Sequence, residues 1–193
     1  MGEHETSHDH HVCPVWVGYF LASPLRKLFQ NPEKILGPYL APGMCVLDLG
    51  CAMGFFSLPM ARAVGEEGRV VCVDLQQRML DALRRRARRK GLAQRIETRC
   101  STSDSLGIAD LAGRVDFALA FAVAHEIADG SRLFSDLRAV LKPGSNALIA
   151  EPSGHVSEAS FEKLIAEAEA CGFCVTDSPT IHWSHAVVLQ AAV

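Results

Sequence analysis

The stretch Val46-Leu47-Asp48-Leu49-Gly50-Cys51-Ala52-Met53-Gly54 is an apolar run that carries one acid and ends in a glycine turn. Twenty-four positions after Gly50, a second apolar run, Val70-Val71-Cys72-Val73, closes on another acid, Asp74. Short apolar runs bounded by turn residues suit strands buried in a sheet. A strand, a glycine turn, a helix and a second strand ending in an acid form a βαβ unit built for a nucleoside. In that unit Asp74 would accept both ribose hydroxyls.

The turn also says which nucleoside ligand fits. A pyrophosphate needs the closely approaching backbone N–H groups of a G-x-G-x-x-G turn that runs into a helix. Here Ala52 holds the middle glycine position, Phe55 stands where the third would be, and no Lys-Ser or Lys-Thr follows to make a phosphate loop. A phosphate-free cofactor fits better. Further landmarks follow in order: Val115-Asp116-Phe117-Ala118-Leu119-Ala120-Phe121 reads as a fourth strand, and Leu141-Lys142-Pro143-Gly144 precedes a fifth ending at Glu151-Pro152.

Over residues 44 to 193 these motifs resemble the class I S-adenosylmethionine-dependent methyltransferases. The resemblance implies an α/β fold with a doubly wound, seven-stranded, mostly parallel sheet in the order 3-2-1-4-5-7-6, the last strand antiparallel. It implies S-adenosyl-L-methionine as cofactor and carries Asp48, Gly50, Gly54 and Asp74 over as matching positions. Cys51, Phe55 and Leu75 fall in the same turns beyond strands one and two, and Phe121 with Ala122 matches the segment bordering the methionine part. The family commonly places an acid just after strand three to hold the adenine amino group. Here Thr102 and Ser103 stand there, with Asp104 one or two places late, so Ser103 becomes the cofactor contact from that loop.

With 193 residues, 49% of them hydrophobic, the chain suits one domain with a sizeable core, and a second catalytic domain will not fit. A net charge of −3 gives no general attraction to nucleic acid or an anionic membrane, which makes a small-molecule substrate the default. No apolar stretch reaches a membrane span, and the His- and Glu-rich first residues lack the parts of a signal peptide. The chain reads as cytoplasmic. Seven cysteines, several within strands or at their ends (Cys45, Cys72, Cys100, Cys174), read as small core residues rather than a disulfide framework. Cys171 and Cys174 lack a second pair to complete a zinc site, so no metal is assigned.

Residues 1–43 read as a leader and helical lid, with helices starting near Pro24 and Pro32 behind the capping residues Ser23 and Asn31. From there strands are expected at Cys45–Leu49, Val70–Val73, Arg95–Arg99, Phe117–Phe121 and Ala147–Ala150, closing with Phe173–Thr176 and Ala186–Ala191. Helices are expected at Phe55–Val64, Gln77–Arg89, Arg132–Leu141 and Glu158–Ala170. The basic run Arg84, Arg85, Arg86, Arg88, Arg89 and Lys90 has no interleaved aromatics for stacking bases, and reads as a solvated helix face.

In an open α/β sheet, ligands lie beyond the carboxyl ends of the strands where strand order reverses. Strand ends therefore supply the catalytic candidates: His125 and Glu126 beyond strand four, and Glu151 at the end of strand five, with His155 four positions on. His125 can serve as a base or simply orient its loop; Glu151 can orient, act as an acid or base, or cap. In the leader, His11, Cys13, Trp16 and Tyr19 become substrate contacts if this segment folds over the cofactor as it does in small members of the family. Two other functions compete with methyl transfer to a thiol, amine, hydroxyl, metalloid or ring carbon: a non-enzymatic sensor of the cofactor, and a nicotinamide-dependent oxidoreductase with a degenerate turn.

Overall fold

The computed structural model describes residues 29–127 and 129–193. The expected helix near Pro24 and the leader residues His11, Cys13, Trp16 and Tyr19 lie outside these. Beyond the leader, elements follow as α1 (Pro32–Leu36), β1 (Cys45–Leu49), α2 (Ser57–Ala63), β2 (Arg69–Asp74), α3 (Gln77–Arg89) and β3 (Ile96–Cys100). The second half runs β4 (Val115–Phe121), α4 (Gly130–Val140), β5 (Leu141–Pro152), α5 (Glu158–Ala170), β6 (Phe173–Asp177) and β7 (Ser184–Ala191). The strands make one seven-stranded sheet in the order β3-β2-β1-β4-β5-β7-β6. Pairing is parallel from β3 to β5, and β7 runs antiparallel to both β5 and β6.

Each helix start has a local cause. Asn31 caps α1 by accepting from the N–H groups of Glu33 and Lys34, with Pro32 in the first turn, as its sequence promised. Asp129 caps α4 by accepting from Arg132 N–H, which starts that helix two residues before the expected Arg132. Helix α2 begins at Ser57 rather than Phe55, because Phe55 and Phe56 belong to the turn and pack edge to face, their ring centroids 5.0 Å apart. Strand β5 is far longer than expected. Its early half is only partly buried, so its pattern lacks the apolar run by which a buried strand is read.

The sheet is covered on both faces, which is why its central strands β1, β2 and β4 are mostly apolar. One face packs Leu47, Leu49, Ala118 and Ile149 with Leu133, Phe134 and Leu137 of α4. The other packs Val46, Val70, Phe117 and Leu148 with Leu58 and Met60 of α2 and Leu80 and Leu83 of α3. Leu36 of α1 is buried in that second cluster. One expectation fails here, for two of the four cysteines. Cys72 is buried and Cys45 half-buried, but Cys100 and Cys174 are exposed, because each stands on an outer strand of the sheet rather than within the core. The basic run of α3 is solvated except at Arg86, which turns inward and donates to the carbonyl of Met53.

Candidate active site

Two turns meet at the carboxyl ends of β1 and β2. Gly50 adopts φ +65°, and a Cβ there would stand 2.7 Å from Cβ of Val123, so only glycine lets the first turn touch the loop after β4. Ala52 takes a left-handed φ of 44°, supplying by strain what a glycine would supply freely. Asp74 offsets that strain. Its Oδ2 accepts from Ala52 N–H at 2.8 Å and its Oδ1 from Gln76 N–H at 2.8 Å, so one carboxylate ties both turns together. Each oxygen keeps a second lone pair for a ligand hydroxyl. Burial pushes the Asp74 carboxyl above its ordinary range, against the pull of these two N–H groups. Beside it the Leu75 side chain is 46% exposed, an apolar shelf at the edge of the crevice.

The other expected cofactor positions divide by depth. Cys51, Phe55 and Phe121 are buried and back the turn, with the Phe56 ring tilted by 33° against that of Phe121, their centroids 4.6 Å apart. Ser103 is exposed in a tight loop closed by the Thr102 and Ser105 bridge. Asp48 is 2% exposed and accepts a hydrogen bond from Ser57 Oγ at the start of α2. Burial drives its carboxyl up to about 7, outweighing the Ser57 bond, with Asp74 adding a smaller push in the same direction. The folded state therefore binds a proton that the unfolded chain has released, so stability falls as pH rises from about 4 to about 7. Asp48→Asn keeps an oxygen for Ser57 and carries no charge. Its melting temperature should match the parent's near pH 4 and exceed it by several degrees at pH 8, read by scanning calorimetry.

Beyond β4 the chain enters the left-handed region again at Ala122, φ 57°, whose N–H bonds Ala150 O at 2.7 Å. That kink aims the next amides at Glu151, the last acid of β5, which is 1% exposed. Glu151 Oε1 accepts from Ala124 N–H at 2.7 Å and Val123 N–H at 3.3 Å, while Oε2 receives Nδ1 of His125. A carboxylate so placed holds the imidazole with Nδ1 protonated and Nε2 basic. The His125 side chain remains 32% exposed. The Glu151 bond raises its pKa above the ordinary 6.5, against a lowering by burial. Glu126 is also pushed up, first by burial and then by Asp74 and Glu151, against the pull of His125. Asp74 at the end of β2, Glu126 in the loop beyond β4 and Glu151 of β5 thus act on one another electrostatically. His155 stands apart, exposed, its backbone N–H bonded to Pro152 O at 3.0 Å.

Sequence reasoning missed the parts played by Arg86 and Ser57, and it named Ala122 without its left-handed backbone. Arg86 reads as one charge among several, and only its place over the Met53 carbonyl shows that it pins the turn. Among the described residues no group of three or more His, Cys, Asp or Glu side chains could hold a metal ion. No helix among them is long and apolar enough to cross a membrane.

A sheet in the order 3-2-1-4-5-7-6, reversing between β1 and β4 and with an acid at the tip of β2, has the layout of a nucleoside-cofactor fold. Residues 46–144 match the family described as "Methyltransferase domain". A ubiquinone biosynthesis O-methyltransferase from Bradyrhizobium diazoefficiens is 30% identical over 162 residues, covering 83% of this chain and 58% of that protein. An arsenite methyltransferase from Halobacterium salinarum is 31% identical over 121 residues, 63% of this chain and 30% of the relative. The chain thus spans well under two thirds of the length of these relatives. In fold it is similar to a SAM-dependent methyltransferase from Aquifex aeolicus, with a TM-score of 0.84 and 23% identity, covering 94% of this chain and 100% of that one. The chain belongs to the class I S-adenosylmethionine-dependent methyltransferase family.

Proposed function

We propose that this protein transfers a methyl group from S-adenosylmethionine to a hydroxyl oxygen of a small molecule, with His125 as general base and Glu151 as the acid that positions it. The observation that carries this reading is the His125 and Glu151 pair, set at the ends of β4 and β5 beside the Gly50 turn. The residues fit the cofactor. Asp74 retains lone pairs that would take the ribose hydroxyls, the backbone of Gly50 to Gly54 would border the cofactor, and the exposed Leu75 and Ser103 would flank the adenine. Asp74, Glu126 and Glu151 give the crevice a negative field that favours a cation over a pyrophosphate. When bound, the cofactor supplies an electrophilic methyl group on a positively charged sulfur.

The tasks left to the protein are alignment, exclusion of water and removal of one proton. Of the acceptors named for the two relatives above, an oxygen gains more from the pair than arsenite does, since a phenol ionises near pH 10 and needs a base. His125 Nε2 takes the hydroxyl proton as the new bond forms, and Glu151 stabilises the imidazolium that results.

Incubation with cofactor bearing a trideuterated methyl and a metabolite extract, followed by mass spectrometry, tests the reading. The expected product carries the label on oxygen; a labelled product on no molecule at all would overturn it. The pair also dictates a pH profile. Its base works only when neutral, so kcat/KM should rise through a pKa above 6.5. In Glu151→Gln the same limb should move to lower pH while kcat falls. By linkage, the bond stabilises the fold fully below about 6.5, and that stabilisation is lost as pH rises through the raised value.

A further inference from the structure

The loop from β6 to β7 carries a feature that folding does not explain. Trp183 has φ 57°, a conformation that costs a bulky residue free energy, yet its side chain is 64% exposed. Its ring lies 4.3 Å from that of His182 and 5.1 Å from that of Phe29, which is itself 53% exposed. The Phe29 and His182 rings are stacked at 5.8 Å and 15°. Around them the backbone is held firmly. Gln30, only 8% exposed, donates from Nε2 to His182 O at 3.0 Å and lies 3.4 Å from Ser184 Oγ, and Ser153 N–H donates to Trp183 O at 3.0 Å. A strained indole braced by buried polar bonds and left in solvent is organised for a ligand rather than for the core.

Its location names the ligand's role. Ser153 lies two residues beyond Glu151, and Pro152 pairs with Ser184, so the rings stand at the same carboxyl edge as the His125 pair, displaced toward β7. On the methyl-transfer reading above, the nucleoside occupies the opposite side, over β1 and β2. An acceptor must then approach from the side of β5 and β7.

Building on that reading, we propose that Phe29, His182 and Trp183 form the acceptor platform, and that the acceptor is a planar aromatic alcohol whose ring stacks on Trp183 while its hydroxyl is presented to His125. Offset stacking on a rigid ring gives affinity and orientation with little side-chain entropy lost.

The test uses the full chain saturated with S-adenosylhomocysteine, 2-naphthol as probe, and the indole N–H resonance of Trp183, assigned by its loss in Trp183→Phe. That resonance should move saturably on adding 2-naphthol. Trp183→Ala should weaken 2-naphthol binding by about tenfold, Trp183→Phe by much less, and neither should change S-adenosylhomocysteine affinity by calorimetry. An unmoved indole resonance, or equal affinity in Trp183→Ala, overturns the platform. So does a resonance that shifts with protein concentration alone, since a second copy of the chain would then cover the rings. Failure of the parent to bind S-adenosylhomocysteine would instead strike the methyl-transfer reading.

Discussion

Asp74→Ala is expected to weaken cofactor binding by about 2–4 kcal/mol, or roughly 30- to 1000-fold in Kd. Two losses combine. The variant removes the acceptor proposed for the ribose hydroxyls, and it also strands the N–H groups of Ala52 and Gln76, each now bonded to one carboxylate oxygen at 2.8 Å. Ala52 is held in a left-handed conformation partly by that bond, so the turn should relax once it is gone. Asp74→Asn retains one acceptor oxygen and should fall between parent and alanine. Titration calorimetry reads the series directly, and equal affinities would remove Asp74 from the binding machinery.

His125→Ala should lower kcat by about 10²- to 10⁴-fold while leaving cofactor affinity nearly intact, because the ring supplies a proton acceptor and no part of the nucleoside site. Glu151 keeps its two backbone donors in this variant, which limits the destabilisation to about 1–3 kcal/mol. Since Glu151 works through His125, Glu151→Gln in the His125→Ala background should cost little further rate. Parallel losses of turnover and cofactor binding would mark His125 as a structural residue instead.

What the sequence made legible followed from regular spacing. The runs Val46–Leu49 and Val70–Val73 are buried on both faces, so their apolar character alone placed β1 and β2, and the acid after the second marked the crevice. The family's strand order then proved right for the whole sheet. The depth of each side chain was harder to read. Asp48 and Asp74 look alike as acids ending apolar runs, yet one bonds Ser57 in the interior and the other rims the opening. That difference arises from position along the strands: by register both acids lie on one face, but Asp48 stands opposite Cys72 within the sheet, whereas Asp74 is the last residue of β2. Arg86 hid among five other basic residues, because which one turns inward depends on where the Met53 carbonyl lies. The pairing of His125 with Glu151 joins residues twenty-six positions apart and needed β4 and β5 side by side. Neither Ala122 nor Trp183 announces its positive φ, since both types ordinarily avoid it.

Strand β5 pairs with β4 on one side and with β7 on the other, the latter over seven positions from Asn146 to Pro152. Amides locked on two sides open only with the whole molecule, so they should be among the last to trade their hydrogens for deuterium. Glu151 stands near the end of that strand, which makes the anchor of the base a fixed post. The catalytic ring would then hold its aim through each cycle, and the adjustments of turnover would fall to the arriving molecule and the coverings above it.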